Sequence, residues 1–133
     1  MKGIFLNSKQ KNELIKAAKK ASKFAYAPYS KFKVGAAILT KSGEIFTGGN
    51  VENASYGLTV CAERVAVFKA ISQGEKNFKV IAIYTDTKNF TLPCGACLQV
   101  LKEFAKGLTV ITVNRFGKAK TYRLAQLLPY PFE

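Results

Sequence analysis

The sequence predicts an α/β protein, a three-layer α-β-α sandwich on a mixed sheet of about five strands. Helical stretches alternate with short apolar, β-branched stretches, in the order α, β-hairpin, α, β, α, β, β, α. Glycine or proline lies at most of the junctions, where breaks between elements are expected. Because β-α-β connections favour parallel neighbours, we expect parallel central strand pairs and helices on both faces of the sheet.

The first half of the chain predicts one helix and one hairpin. Ser8 is the expected N-cap of an amphipathic helix of about 15 residues, which should end before Pro28 because proline restricts the residue before it. Its apolar positions are Leu14, Ile15, Ala18, Ala21 and Ala25. A strand is expected over 32–39 and a returning strand over 45–47, followed by a loop through 56–58.

The second half predicts alternating buried helices and strands. Gly74 lies where a glycine commonly ends a helix, and Pro93 can open the next one. The expected elements are a helix over 61–72, a strand over 80–84, a helix over 93–107, a strand over 108–113, a short strand ending near 122 and a helical turn over 124–128.

Length and composition predict one cytoplasmic domain, residues 1–133, with no membrane partner. No segment resembles a signal peptide, and no apolar run approaches the ~18 residues of a membrane span. The net charge of +13 could indicate nucleic-acid binding. We favour a basic, solvated surface and no nucleic-acid partner, because the lysines are scattered along the chain and only three of the basic residues are arginines.

Three cysteines and the absence of histidine narrow the chemistry. Cys61 and the pair Cys94 and Cys97 lie at predicted helix N-termini, where the helix dipole favours the thiolate that binds zinc. Two residues separate the paired cysteines, a spacing found in many zinc sites. The chain offers three such ligands where a closed structural site needs four, so the fourth position should be open to water, which zinc would activate.

Glu63 lies two residues after Cys61 and can approach the metal without binding it. A carboxylate there can take a proton from the activated water and pass it to a substrate. Three alternatives weigh against this interpretation: the Cys-x-x-Cys pair could be a redox pair, Cys61 could be a buried inert thiol, and Glu63 could merely favour the helix dipole. The redox alternative leaves Cys61 and Glu63 unexplained, so we prefer the zinc site.

Cys61-Ala62-Glu63 and Pro93-Cys94-Gly95-Ala96-Cys97 together resemble the signature known for zinc deaminases, in which the glutamate is the acid and base. The chain resembles the cytidine deaminase family in its short, three-cysteine form. The resemblance extends over nearly the whole chain, through segments 25–37, 50–56 and 127–132. It implies hydrolytic deamination of free cytidine and deoxycytidine in pyrimidine salvage, one zinc ion per subunit, and a homotetramer with sites at subunit interfaces.

The resemblance also implies roles for residues around the metal. Asn50 and Glu52 would hydrogen-bond the sugar hydroxyls, although Asn50 could instead stabilise a turn. The remaining substrate contacts would come from Phe32 near the base, Ala54 and Tyr56 near the sugar of an adjacent subunit's ligand, the Ala62 backbone amide at the pyrimidine, and Phe132, which would stack on the base from a neighbouring subunit. Either phenylalanine could instead belong to the core.

Arg64 would hydrogen-bond the cysteine sulfurs and offset part of their charge, unless it is an ordinary surface arginine. Related sequences commonly carry arginine directly after the second cysteine of the pair, where this chain has Leu98. Two other functions remain open from the sequence. One is deamination of a nucleoside analogue such as blasticidin S, and the other is a basic nucleic-acid-binding module with a structural zinc, which the missing fourth ligand argues against.

Overall fold

A computed structural model describes residues 6–133. Residues 1–5, to which the expectation of no signal peptide also applies, lie outside the described part. Helices and strands follow one another as predicted, apart from an additional 3-10 turn in the loop before the second helix. They are α1 (Ser8–Ser22), β1 (Val34–Thr40), β2 (Ile45–Gly49), the 3-10 turn (Tyr56–Leu58), α2 (Ala62–Ser72), β3 (Phe78–Thr85), α3 (Gly95–Phe104), β4 (Thr109–Val113), β5 (Ala119–Arg123) and α4 (Leu124–Leu127). Within residues 6–133, no helix combines the length and hydropathy that crossing a membrane requires.

The five strands form one mixed sheet in the order β2-β1-β3-β4-β5, which confirms the predicted fold class. The expectation of several parallel central pairs is wrong, because β3 and β4 are the one parallel pair among the described strands. β1 lies between β2 and β3 and runs antiparallel to both. Its residues are apolar and buried on both faces, which suits a central strand, whereas β2 is more exposed and lies at the edge.

The first helix begins and ends differently from the prediction. Its N-cap is Asn7 rather than Ser8, because the Asn7 Oδ1 accepts a hydrogen bond from the Gln10 N–H at 2.8 Å. The helix ends at Ser22, whose hydroxyl donates to the Lys19 carbonyl at 2.6 Å. Such local side-chain bonds compete with helix continuation, so Ala25 lies beyond the helix, in the segment that leads to β1.

Helices cover both faces of the sheet, as predicted. On one face, Leu14 and Ala18 of α1 pack against Ala37 of β1 and Val80 of β3. On the other, α2, α3 and α4 pack around a larger cluster that includes Ala66, Val67, Leu101 and Leu124. Both clusters are apolar and nearly free of solvent, so burial of their side chains supplies most of the stabilisation.

Small residues allow the helices to lie directly on the sheet. A Cβ on Gly48 of β2 would come within 2.6 Å of the Ala66 nitrogen and 2.7 Å of the Ala62 carbonyl oxygen, both backbone atoms of α2. A Cβ on Gly35 of β1 would lie only 1.9 Å from the Ala18 carbonyl oxygen of α1. The position of the first turns of α2 relative to the sheet therefore depends on the missing side chain at Gly48.

Candidate metal and catalytic site

The three cysteines meet at the N-termini of α2 and α3. Cys61 is the N-cap of α2, Cys94 is the N-cap of α3, and Cys97 lies in the first turn of α3. The three Sγ atoms lie within 4.8 Å of one another, with 3.8 Å between Cys61 and Cys94 and 3.5 Å between Cys94 and Cys97. The structure thus brings together residues that are 33 positions apart in the chain.

Neither N-cap cysteine hydrogen-bonds the free backbone N–H groups of its own helix through its side chain. N-cap residues are normally serine, threonine, aspartate or asparagine, whose oxygens accept from free backbone N–H groups. Cys61 and Cys94 make no such side-chain bond, and their sulfurs approach each other instead. The N-termini of α2 and α3 therefore lack a stabilising side-chain cap at the point where the thiols meet, and such a local cost is typical of functional sites.

The donor set fits zinc. Zinc–thiolate bonds are about 2.3 Å long, so two sulfurs on a tetrahedral ion lie about 3.8 Å apart. The two shorter Sγ distances, 3.5 and 3.8 Å, are close to that value and far from the ~2.05 Å of a disulfide. Three thiols in this arrangement would hold one zinc ion, and residues 6–133 contain no further histidine, cysteine or carboxylate within the cluster.

The thiols differ in their affinity for a proton. Contact with the Cys97 thiol, assisted by Arg64 and opposed by burial, lowers the pKa of Cys61 to about 5. The same contact raises the pKa of Cys97, and burial and the Glu63 charge raise it further. Of the two thiols, Cys61 therefore gives up its proton more readily.

Arg64 lies close to the Cys61 thiol, with its Nη2 3.5 Å from the Cys61 Sγ. Its charge is drawn to the thiolate, and that hydrogen bond raises the pKa of the guanidinium. Leu98, in contrast, is only 7% exposed and belongs to the apolar cluster beneath α3. A leucine cannot donate to a sulfur, so this position offers the thiolates no compensating charge.

Glu63 lies in the first turn of α2 and is 5% exposed. Burial raises the pKa of its carboxyl to about 7, and the Cys61 charge adds to that effect. A carboxyl that titrates near neutral pH can both accept and release a proton, which a general acid and base requires. It lies two residues after Cys61, the N-cap of the same helix, and its charge raises the pKa of Cys97.

Glu52 lines a cavity of about 390 Å³ together with Tyr29, Ser30, Tyr56 and Thr59. One carboxylate oxygen accepts from the Tyr29 and Ser30 backbone N–H groups at 3.0 and 3.1 Å, and the other accepts from the Ser30 hydroxyl. The Ser30 hydroxyl lowers the pKa of Glu52, so the carboxylate stays ionised. A carboxylate offers about four lone-pair sites, which leaves about one for a ligand.

Asn50, 8% exposed, joins the entry of β1 to the exit of β2. Its Oδ1 accepts from the Val34 N–H at 2.9 Å, and its Nδ2 donates to the Phe32 carbonyl at 2.9 Å. The side chain therefore has a structural task and keeps one further N–H for a ligand. The Phe32 ring is 38% exposed and lines a different depression, with Lys31 and Asp86 among its neighbours.

The other predicted substrate contacts are divided between the interior and the surface. Ala62 is fully buried, and as the first residue of α2 its N–H has no partner within the helix. Ala54 is exposed, and Tyr56 is 75% exposed, with its ring edge-on to Tyr29 at 6.1 Å between centroids. Phe132, 85% exposed, lies in the C-terminal tail and contacts α3 through its backbone.

The sequence prediction missed Tyr29 and Ser30, which hold the Glu52 carboxylate. Tyr29 is 23 residues and Ser30 is 22 residues away from Glu52, so no local spacing indicates the contact. It also missed Gln99, whose side chain binds the tail at Phe132. The proline before Tyr29 did indicate a turn there, but not what the turn would bind.

Known proteins resemble this chain along most of its length. A family model described as the cytidine and deoxycytidylate deaminase zinc-binding region matches residues 8–113. The cytidine deaminase of Sporosarcina psychrophila is 48% identical over 121 residues, which are 90% of this chain and 89% of that protein. A protein of Bacillus cereus named blasticidin-S deaminase is 32% identical over 133 residues, 94% of each chain.

A solved structure agrees with the fold. The cytidine deaminase from Burkholderia pseudomallei superposes with a TM-score of 0.88 at 48% identity, covering 91% of this chain and 98% of that one. The family model covers the α1 helix and both cysteine motifs, and the three thiols are arranged to hold one zinc ion. The chain therefore belongs to the zinc-dependent cytidine and deoxycytidylate deaminase family.

Proposed function

We propose that the protein hydrolyses free cytidine and deoxycytidine to uridine and deoxyuridine, with release of ammonia, as a step of pyrimidine salvage. The observation that carries this proposal is the arrangement at the two helix N-termini. Three sulfurs lie within 4.8 Å of one another, and the buried Glu63 is in the first turn of the helix that Cys61 caps. When bound to these thiolates, zinc would lower the pKa of a water molecule at its open fourth position and thereby supply the nucleophile.

Glu63 moves the protons of the reaction. Its carboxylate takes one proton from the attacking water and passes it to N3 of the pyrimidine, as the water oxygen bonds to C4. The Glu63 carboxylate then takes the second proton, from the hydroxyl now bonded to C4, and delivers it to the amino group. The amino group leaves as ammonia when the carbon–nitrogen bond breaks and the C4 carbonyl forms. Burial, which raises the pKa of Glu63 to about 7, makes both transfers accessible near neutral pH.

The pocket around Glu52 would receive the sugar. The ionised carboxylate has about one free acceptor site, and Asn50 has one free N–H, so together they can accept from and donate to sugar hydroxyls. The Ala62 N–H would donate to the pyrimidine, and Phe32 would pack near it. Ala54 and Tyr56 would approach the sugar of an adjacent subunit's ligand, and Arg64 would offset the charge of the thiolates.

The assembly we propose is a cytoplasmic homotetramer of one catalytic domain, residues 1–133, with sites at subunit interfaces. Large apolar side chains are exposed around the Glu52 pocket, which supports contact with another subunit there. Tyr56 is 75% exposed and Leu58 is 66% exposed. Phe132 would reach a neighbour's site from the tail. Because the lysines are scattered along the chain, we propose that the protein has no nucleic-acid partner.

Ultraviolet assay of cytidine deamination tests the proposal, with zinc content measured in the same samples. The wild-type protein should contain one zinc per chain and lose turnover when a chelator removes it. Glu63→Ala and its near-isosteric control Glu63→Gln should keep the zinc and lose activity by several orders of magnitude. Full activity in Glu63→Ala would sink the proton-transfer role, and a zinc-free active wild type would sink the reaction class.

A second candidate substrate is blasticidin S, favoured by the 32% identity to the Bacillus cereus protein of that name. The chemistry at the metal and at Glu63 would be the same. The Glu52 pocket distinguishes the two, because it suits a nucleoside with an intact sugar. Comparing kcat/KM for cytidine and blasticidin S decides between them, and we expect cytidine to be the better substrate.

A further inference from the structure

A two-point hydrogen bond joins the C-terminal tail to α3. The Gln99 Nε2 donates to the Phe132 carbonyl at 2.9 Å, and the Phe132 N–H donates to the Gln99 Oε1 at 3.0 Å. A primary amide that binds both backbone groups of one residue determines the position and the orientation of that residue. The contact joins positions 33 apart and lies two residues after the buried Cys97.

We call this pair of hydrogen bonds between Gln99 and Phe132 the clamp, and the sequence of the tail favours it. Pro129 and Pro131 restrict the backbone on both sides of Tyr130, which reduces the entropy lost when the tail is held. At its end, the Glu133 carboxylate lies 3.9 Å from the Lys102 Nζ. Glu133 is the exposed partner of this pair and the 3.9 Å separation is long, so the pair contributes little and Gln99 supplies the directional contact.

The clamp holds the backbone of the tail and leaves its aromatic rings free. Phe132 is 85% exposed and Tyr130 is 93% exposed, so neither ring is buried by its own chain. Large apolar side chains presented this way on an ordered segment are typical of surfaces that meet another protein molecule.

We propose that Gln99 is a positioning residue, which holds the tail on α3 so that the Phe132 ring projects into the substrate pocket of a second copy of the chain. This inference rests on the proposed function, because the ring must find a nucleoside base there to stack on. Gln99 touches neither metal nor substrate in this scheme, and acts through Phe132 alone. It also links the helix that carries Cys94 and Cys97 to the segment that completes a neighbouring site.

Hydrogen exchange of the tail tests the clamp without reference to activity. Because Pro129 and Pro131 have no N–H, the last five residues contain three backbone amides, and that of Phe132 is bonded to Gln99. Gln99→Ala removes both hydrogen bonds, so exchange at Phe132 should become on the order of tenfold faster. Gln73→Ala is the matched control, since Gln73 is an exposed glutamine for which no side-chain hydrogen bond is recorded within residues 6–133.

Steady-state kinetics on cytidine test the positioning. Phe132→Ala removes the ring and keeps the backbone clamp, so KM should rise on the order of tenfold while exchange at residue 132 stays slow. Gln99→Ala should raise KM by a similar factor with kcat nearly unchanged. The double variant should be no worse than either single variant, because both changes remove the same contact. The solution mass of every variant should equal that of the wild type.

Each outcome has a defined meaning. Unchanged exchange in Gln99→Ala overturns the clamp whatever the activity. Faster exchange with an unchanged KM overturns the role in substrate binding, as do additive effects in the double variant. A lower solution mass of Gln99→Ala shows a structural role instead of a positioning one. If the wild type does not deaminate cytidine, the proposed function and the substrate role fail together, and the exchange measurement still decides the clamp.

Discussion

Replacing Gly48 with alanine should displace α2, the helix that begins after Cys61 and contains Glu63. The added Cβ would lie 2.6 Å from the Ala66 nitrogen and 2.7 Å from the Ala62 carbonyl oxygen, where ordinary contact begins at 3.4 Å. The first turns of α2 must therefore retreat by about 0.7–0.8 Å, since both obstructing atoms are backbone. Overpacking of this kind costs about 1–3 kcal/mol of unfolding free energy. In a chain of this length, that corresponds to a loss of roughly 3–15 °C in the melting temperature.

The displacement should also lower activity, because the same turn carries Glu63. A misplacement near 1 Å can reduce turnover about a hundredfold, so we expect kcat/KM for cytidine to fall by about 10- to 100-fold. Calorimetry and the ultraviolet assay measure the two effects on folded, zinc-loaded protein.

Two controls separate the effects on stability and on activity. Gly107→Ala meets no atom within 4 Å and should change neither quantity. Gly35→Ala presses on α1, on the opposite face from the site, so it should destabilise the protein and leave the activity of the folded fraction intact. Wild-type stability and activity in Gly48→Ala would refute the close packing of α2 on β2.

Three further results are expected. The melting temperature should fall with the logarithm of the free zinc concentration as a chelator lowers it, and adding zinc should restore it; a melting temperature that does not respond would contradict the metal site. Arg64→Gln should weaken zinc binding by about tenfold in a competition assay, because it removes the donor to the Cys61 sulfur, whereas Arg115→Gln, on the surface, should not. Ser30→Ala should raise the pKa of Glu52 towards its ordinary value, as measured by NMR titration. The lowered pKa of Glu52 stabilises the fold above pH ~4.5, and this contribution is lost as the pH falls through the lowered pKa. The difference in unfolding free energy between Ser30→Ala and wild type should therefore close in acid. A difference that stays constant with pH would count against the contact.

Local pattern was sufficient to predict the elements of the fold. Apolar periodicity predicted each described α-helix and strand within a few residues, though not the 3-10 turn, because each of these elements buries a regular face. The pairing of the strands was harder to predict. β1 lies between β2 and β3 because of contacts between segments distant in sequence, which no local pattern indicates. The Asn7 cap and the early end of α1 depend on side-chain bonds with competing candidates nearby.

The sequence by itself determined the chemistry of the site: three thiols without histidine, one glutamate beside the first of them, and helix N-termini to carry them. These are properties of residue type and spacing, which survive any arrangement of the chain. Only the tertiary structure decided that the sulfurs lie 3.5 and 3.8 Å apart, that burial raises the pKa of Glu63 to about 7, and that the Gln99 side chain hydrogen-bonds the tail. Each of those depends on two helices packed on one face of the sheet, and distances and burial arise only when distant segments meet.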